Sequence, residues 1–208
     1  MGARAVTAVK KKKEAQPAGP VFLSTGLPDP QRDPRFPADI TAIREAIRAL
    51  ATVVLPRAPL VLAGHPALTP FVRLVASSVG EAGNARLYTS VVYTGRTPPE
   101  DQTAPDVVVV RATADDAEGN LRKLRDAMLK SEAFAAGVFI GGMEASEQEI
   151  ALFKRRHPTA LILPVASTGG AAKLLFDQGH GPTDAAAREA LASDTVYGAL
   201  FTSLLGYA

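Results

Sequence analysis

Short apolar runs alternate with stretches whose apolar residues return every three or four positions, from residue 20 almost to the end of the 208-residue chain. PVFLST (20–25), PLVLAG (59–64), RLYTSVVY (86–93), VVVV (107–110), AAGVFIGG (135–142) and residues 160–165 read as six strands. VVVV has no polar position, which predicts a fully buried strand. Residues 38–54 carry Ile40, Ile43, Ile47, Leu50 and Val54 at helical spacing, with Asp39 or Thr41 to cap the start. The same spacing predicts helices over 68–79, over 115–130 with Leu121, Leu124 and Met128 on one face, over 146–156, and from 171 to 176. The alanine- and leucine-rich stretch 183–205 is a last helical segment, interrupted near Gly198. Strands apolar on both faces, alternating with helices, imply an α/β fold: a Rossmann-like, doubly wound, mainly parallel sheet with helices on both faces. Ligands of such sheets lie at the carboxyl ends of the strands, where the strand order reverses.

Composition narrows the class. The apolar share of 47% is enough for a sizeable core in one domain. Cysteine is absent, which excludes a disulfide framework and thiolate metal sites and gives no pointer to secretion. No apolar run reaches the roughly 18 residues that span a bilayer, so a cytoplasmic, non-membrane protein is expected. The net charge of +2 belongs to the beginning of the chain: residues 1–20 hold five of the 23 basic side chains and one of the 21 acidic ones. The body is left with 18 basic and 20 acidic groups, a balance that does not suit nucleic acid. Residues 1–19 are expected to be a basic disordered tail and residues 20–208 a single α/β domain that includes the C-terminal helical segment.

Four strand ends are glycine-rich or small: Ser24-Thr25-Gly26, Ala63-Gly64-His65-Pro66, Gly141-Gly142-Met143-Glu144 and Ser167-Thr168-Gly169-Gly170. Three of them lead straight into helices. Glycine permits close backbone approach, and a helix N-terminus offers free N–H groups to a phosphate. Tight turns alone would also explain each loop. Glu144, Glu147 and Glu149 suit the first turns of a helix, where carboxylates favour the macrodipole. The same groups suit contact with ribose hydroxyls, or acid–base chemistry. Arg32 and Arg35 follow the first glycine loop and can clamp an anion, or can pair with Asp29 or Asp33. His65 is a candidate donor to a phosphate or base. His157, before Pro158, reads as a helix terminator, and His180 lies in a loop.

Other chemistries find no support. There is no G-x-x-x-x-G-K-[ST] loop, no G-x-G-x-x-G after the first strand, and no G-x-S-x-G elbow. The three histidines are scattered, so no metal site and no cofactor are expected.

FLSTGLPDPQRDPRF, LVLAGHPALTP, FIGGMEASEQE and LPVASTGGAA together resemble the SLOG superfamily, Rossmann-like domains related to the LONELY GUY phosphoribohydrolases and to Smf/DprA proteins. The similarity runs from about residue 21 to residue 176 and is greatest to SLOG domains of bacterial conflict systems, which are thought to sense nucleotide-derived signals. The Thoeris anti-phage system contains one such sensor. The LONELY GUY enzymes carry P-G-G-x-G-T-x-x-E. Gly141 and Gly142 match its glycine pair, but Glu144 stands at the later glycine, Ala145 at the threonine and Gln148 at the glutamate. Glu147 or Glu149 reaches that catalytic role only through a one-residue shift.

The resemblance implies a sensor for a nucleotide or ADP-ribose-type second messenger. Gly141 and Gly142 would form its floor beside Met143, with Thr168, Gly169 and Gly170 at a phosphate. Ser24, Gly26, Gly64 and His65 would line the other side, with Arg35 on an anion and Glu144 or Glu147 on ribose. The output would pass through a homo-oligomer or an effector protein. The alternatives are a phosphoribohydrolase cleaving a nucleoside monophosphate with Glu147 or Glu149, and an assembly module with a vestigial pocket. The apolar end SDTVYGALFTSLLGYA suits either a subunit contact or cover for its own sheet.

Overall fold

The computed structural model describes residues 19–90, 106–111 and 116–207. The basic tail, the end of the third predicted strand, most of the loop after it and Asp115 lie outside the described residues. Six strands form one parallel sheet: β1 (Val21–Gly26), β2 (Leu60–Ala63), β3 (Ala85–Ser90), β4 (Val107–Val110), β5 (Ala136–Gly141) and β6 (Leu161–Val165). Among the described residues seven α-helices accompany them: α1 (Ile40–Val54), α2 (Thr69–Ser78), α3 (Ala117–Lys130), α4 (Glu144–Arg156), α5 (Gly170–Asp177), α6 (Ala185–Ser193) and α7 (Tyr197–Leu204). Their order and number match an α/β, Rossmann-like arrangement.

Side-chain alternation along the central strands builds the two layers. In β1, Val21 and Leu23 join the core under α1, α2, α6 and α7, while Phe22 points to the opposite core under α3, α4 and α5. In β5, Val138 and Ile140 take the first side and Phe139 the second. Phe22 stacks on Phe153 of α4 with ring centroids 5.5 Å apart, and Phe134 and Phe139 pack around this pair. His157 ends α4, as its position before Pro158 predicts, and its Nε2 lies 2.9 Å from the Leu129 carbonyl. Asp39 caps α1 by accepting from the Ala42 N–H at 3.0 Å.

The strand order is β4-β3-β2-β1-β5-β6. The chain builds outward from β1 through β2 and β3 to β4, then returns to add β5 and β6 on the other side. The reversal therefore falls between β1 and β5, and the carboxyl ends there are Gly26 and Gly141, which pair in register.

Three expectations are corrected. VVVV is an edge strand rather than a buried one, with Val108 41% and Val109 37% exposed. An all-valine run signals two apolar faces only when strands flank it on both sides, and β4 has a described neighbour on one side. The helix after β5 begins at Glu144, two residues earlier than its apolar spacing indicates. The C-terminal break lies over residues 194–196, where Asp194 accepts from the Val196 N–H at 2.7 Å, and Gly198 sits inside α7.

α7 covers its own sheet: Leu200, Phe201 and Leu205 are buried against the core that includes α1. Leu200 is 3% exposed and Val196 is 65% exposed. Leu200→Glu is expected to cost more than about 3 kcal/mol through a buried unpaired charge. Val196→Glu is expected to stay within about 0.5 kcal/mol of the parent protein. Thermal or urea unfolding of both variants checks this, and only Val196→Glu is informative about subunit contacts.

Candidate functional site

The carboxyl ends of β1, β5 and β6 are tied by their backbones. Gly142 N–H donates to the Gly26 carbonyl at 3.1 Å, and Ala171 N–H donates to the Gly142 carbonyl at 3.0 Å. Thr168 accepts from the Gly141 N–H at 2.9 Å and donates its own hydroxyl to the Val165 carbonyl at 2.7 Å. Gly170 N–H donates to the Pro37 carbonyl at 2.8 Å, and residues 38 and 169 form an isolated antiparallel bridge. The loop from β1 to α1 is thereby stitched to the β6–α5 turn.

Two of the glycines are required by this packing. Gly142 has φ +83°, and a Cβ there would stand 2.2 Å from Ser146 Oγ. Gly170 has φ +63°, and a Cβ would meet the Gly141 carbonyl carbon at 2.8 Å. Both conditions exclude other residues. The glycine pairs thus interlock strand ends, and the first N–H groups of α5 point at protein carbonyls.

α4 is different. Its N-cap, Met143, supplies no side-chain acceptor, and Glu144 and Ala145 at its first positions are exposed. This 13-residue helix presents its positive end beside Gly26 and Gly142 at the strand reversal. Met143 closes over Gly26: its Cε is 3.3 Å from where a Gly26 Cβ would stand. Arg35 reaches across to Glu147 at 2.7 Å and lies over the Phe36 ring at 5.0 Å. Arg32 pairs with Asp33 at 3.0 Å, with its Nη2 4.0 Å from Met143 Sδ. The Arg32 hydrogen bond and the Asp29 N–H hold the Asp33 carboxyl below the usual carboxylate range. Arginines at the rim are thus already placed against the α4 start, each with a carboxylate partner.

Beneath this rim lies a buried polar junction. Ser24 Oγ is 2.6 Å from Glu149 Oε2 and 2.9 Å from Ser146 Oγ. One hydroxyl proton cannot serve both, so the chemistry favours Ser24 donating to Glu149 and accepting from Ser146. Arg125 of α3 stands behind, with Nε 3.8 Å from Glu149 Oε1 and Nη1 donating to Gln148 Oε1 at 2.5 Å. Burial pushes the Glu149 carboxyl up, against the lowering by Ser24 and Arg125. Glu149 therefore faces the interior.

The expected residues fall into two groups. Ser24, Gly26, Arg35, Gly141, Gly142, Met143, Glu144, Glu147, Glu149, Thr168, Gly169 and Gly170 gather around the ends of β1, β5 and β6. Gly64 and His65 sit one strand over, about 4.8 Å further along the sheet, on the side of β3. There His65 accepts from the Ala67 N–H at Nδ1, 3.2 Å away, and burial lowers its pKa below the ordinary histidine value. The cavity beside it is about 10 Å3, room for one water at most. Ser146 and Arg125 belong to the junction but are not among the candidate residues of the sequence, and Gln148 enters there only as the residue at the place of the catalytic glutamate. For Ser146 a signal existed: residues 146, 149, 150 and 153 are the buried positions of α4, at helical spacing.

No group of metal-ligating side chains and no membrane-crossing helix occurs among the described residues. The model of the SLOG cluster3 family matches residues 35–205, from the rim arginine Arg35 to the buried end of α7. No curated protein and no solved structure matches.

The raised Glu149 pKa has a consequence for stability. A carboxyl raised above its unfolded value contributes stability that is complete at low pH and is lost as pH rises through the folded pKa. Glu149→Gln keeps an acceptor for Ser24 without the charge. Its stability relative to the parent protein is expected to increase as pH is raised from the ordinary carboxylate range of about 4 upward. Unfolding midpoints at increasing pH check the direction, and a pH-independent difference would show Glu149 to be unperturbed.

Proposed function

Because the chain belongs to the SLOG cluster3 family, a membership that points to nucleotide-related ligand binding, we propose that the β1–β5 strand ends hold a nucleotide-derived small molecule. The observation that carries this is the coincidence of three features at one place. The strand order reverses between Gly26 and Gly141, the uncapped start of α4 opens there, and Arg32 and Arg35 stand over it. A reversal point supplies the crevice. An uncapped helix start supplies N–H donors and positive potential for a phosphate. Arg35 would exchange Glu147 for the ligand phosphate, freeing that carboxylate for a ribose hydroxyl beside Glu144.

The two carboxylates considered for catalysis have other engagements: Glu149 is turned inward on Ser24, and Glu147 pairs with Arg35. Binding without turnover fits these positions best. The likeness of the sequence to SLOG domains of conflict systems extends the proposal to a sensor of an ADP-ribose-type signal in bacterial defence, with output through a homo-oligomer or an effector protein.

Calorimetric titration with AMP, ADP-ribose and cyclic ADP-ribose isomers tests the proposal. Saturable heat with at least one of them is expected, weakened roughly tenfold or more in Arg35→Ala by loss of a charge-assisted contact. No heat with any of them, or an unchanged affinity in Arg35→Ala, would count against the site. Release of adenine from AMP on chromatography would replace binding by hydrolysis.

A further inference from the structure

A second site is built on the outer surface of the α3–α4 layer, lined by none of the rim residues at the strand ends. Glu118, Arg122, Arg125 and Asp126 of α3 recur at helical spacing, as do Gln148, Leu152 and Arg155 of α4. The two rows face each other across a groove of about 610 Å3, with Lys123 at its edge and Gly119 leaving it open. That volume lies in the range of small-molecule sites.

The charge in the groove is one-sided once existing pairs are counted. Asp126 is already held by Lys130 and Arg156. Arg122, Lys123 and Arg155 form no ion pair with any described residue. Arg125 is 11% exposed at its side chain and is oriented from behind by Gln148 and Glu149. Arg125 also lines the groove, with its Nε 3.8 Å from Glu149 Oε1 behind it. Three cations without an ion-pair partner among the described residues, Arg122, Lys123 and Arg155, thus stand against Glu118 as the one carboxylate there without a described partner, over the apolar wall of Leu152.

We infer that the α3–α4 groove is a binding site for a small polyphosphate anion, either inorganic or the phosphate chain of a nucleotide, clamped between Arg122 and Arg125 of one helix and Arg155 of the other. Paired guanidiniums from two helices suit a diphosphate better than a single carboxylate, since each can take two oxygens. The inference stands apart from the strand-end site and shares none of its rim residues.

Inorganic pyrophosphate and ADP are the probes, followed by heteronuclear NMR and calorimetry on the full chain. Both are expected to shift the Gly119 backbone signal and the Gln148 side-chain amide, whose oxygen now accepts from Arg125. In the double variant Arg122→Ser, Arg155→Ser the pyrophosphate affinity is expected to fall roughly tenfold or more. In Arg32→Ser, Arg35→Ser it is expected to stay within about twofold. Circular dichroism verifies that both variants, altered only at exposed positions, remain folded. Equal pyrophosphate and ADP affinities would identify the phosphate chain as the recognised part, whereas a preference for ADP would add the nucleoside, seated on Leu152. Gly119 and Gln148 signals unmoved at millimolar probe, or an affinity lost with Arg32 and Arg35 instead, would overturn the groove site.

Discussion

Backbone contact between three strand ends is the constraint on which this molecule's chemistry depends. Gly142 reaches the Gly26 carbonyl, Gly141 reaches the Thr168 hydroxyl, and Gly170 reaches the Pro37 carbonyl. The resulting knot fixes the carboxyl edge of β1, β5 and β6 and the loop that crosses it. A side chain at position 170 would hold these backbones apart and one at position 142 would meet the Ser146 side chain, so glycine there is first a packing requirement. A consequence for binding follows. Neither helix start has a side-chain cap, but the first N–H groups of α5 donate to the Pro37 and Gly142 carbonyls, whereas Glu144 and Ala145 at the start of α4 are exposed at the reversal point. The proposed ligand recognition is thereby displaced from the glycines themselves to the rim they hold in place.

Below the rim, Ser24, Ser146, Glu149 and Arg125 link β1, α4 and α3 through hydrogen bonds and charge rather than apolar contact. A buried polar group is costly unless its partners are all present, so such a junction fixes relative position more than it adds stability. Here it fixes the helix whose N-terminus opens onto the strand ends. Arg125 also faces the outer α3–α4 groove, so one guanidinium borders both the interior junction and a basic surface.

Much of this fold was legible in the sequence because its helices and central strands obey simple periods. The short apolar runs VFLSTG and AGVFIG, both buried on two sides, and the regular isoleucines of α1 led to the correct elements. VVVV misled because apolar character does not reveal how many neighbours a strand has. A proline did carry that information in β6: Pro164 lacks an N–H and fits an edge strand, and β6 is one. At the site, the glycine pairs, Arg35 and the acidic α4 start were visible as motifs and meet in space. The inward turn of Glu149 was harder to see. Its acidic neighbours suggest an exposed helix face, and only its spacing to Ile150 and Phe153 places it on the buried one. The engagement of Thr168 and Gly170 with other loops is a tertiary property that no local pattern encodes.

The proposed nucleotide-derived ligand lies where β1 and β5 diverge, against the start of α4. A crystal structure of the full chain soaked with ADP-ribose measures this directly. Phosphate density beside Met143 and Glu144, with Arg35 turned from Glu147 to the ligand, is the predicted result. An empty strand edge with Arg35 still on Glu147, in crystals whose soaking concentration saturates binding in solution, would contradict it.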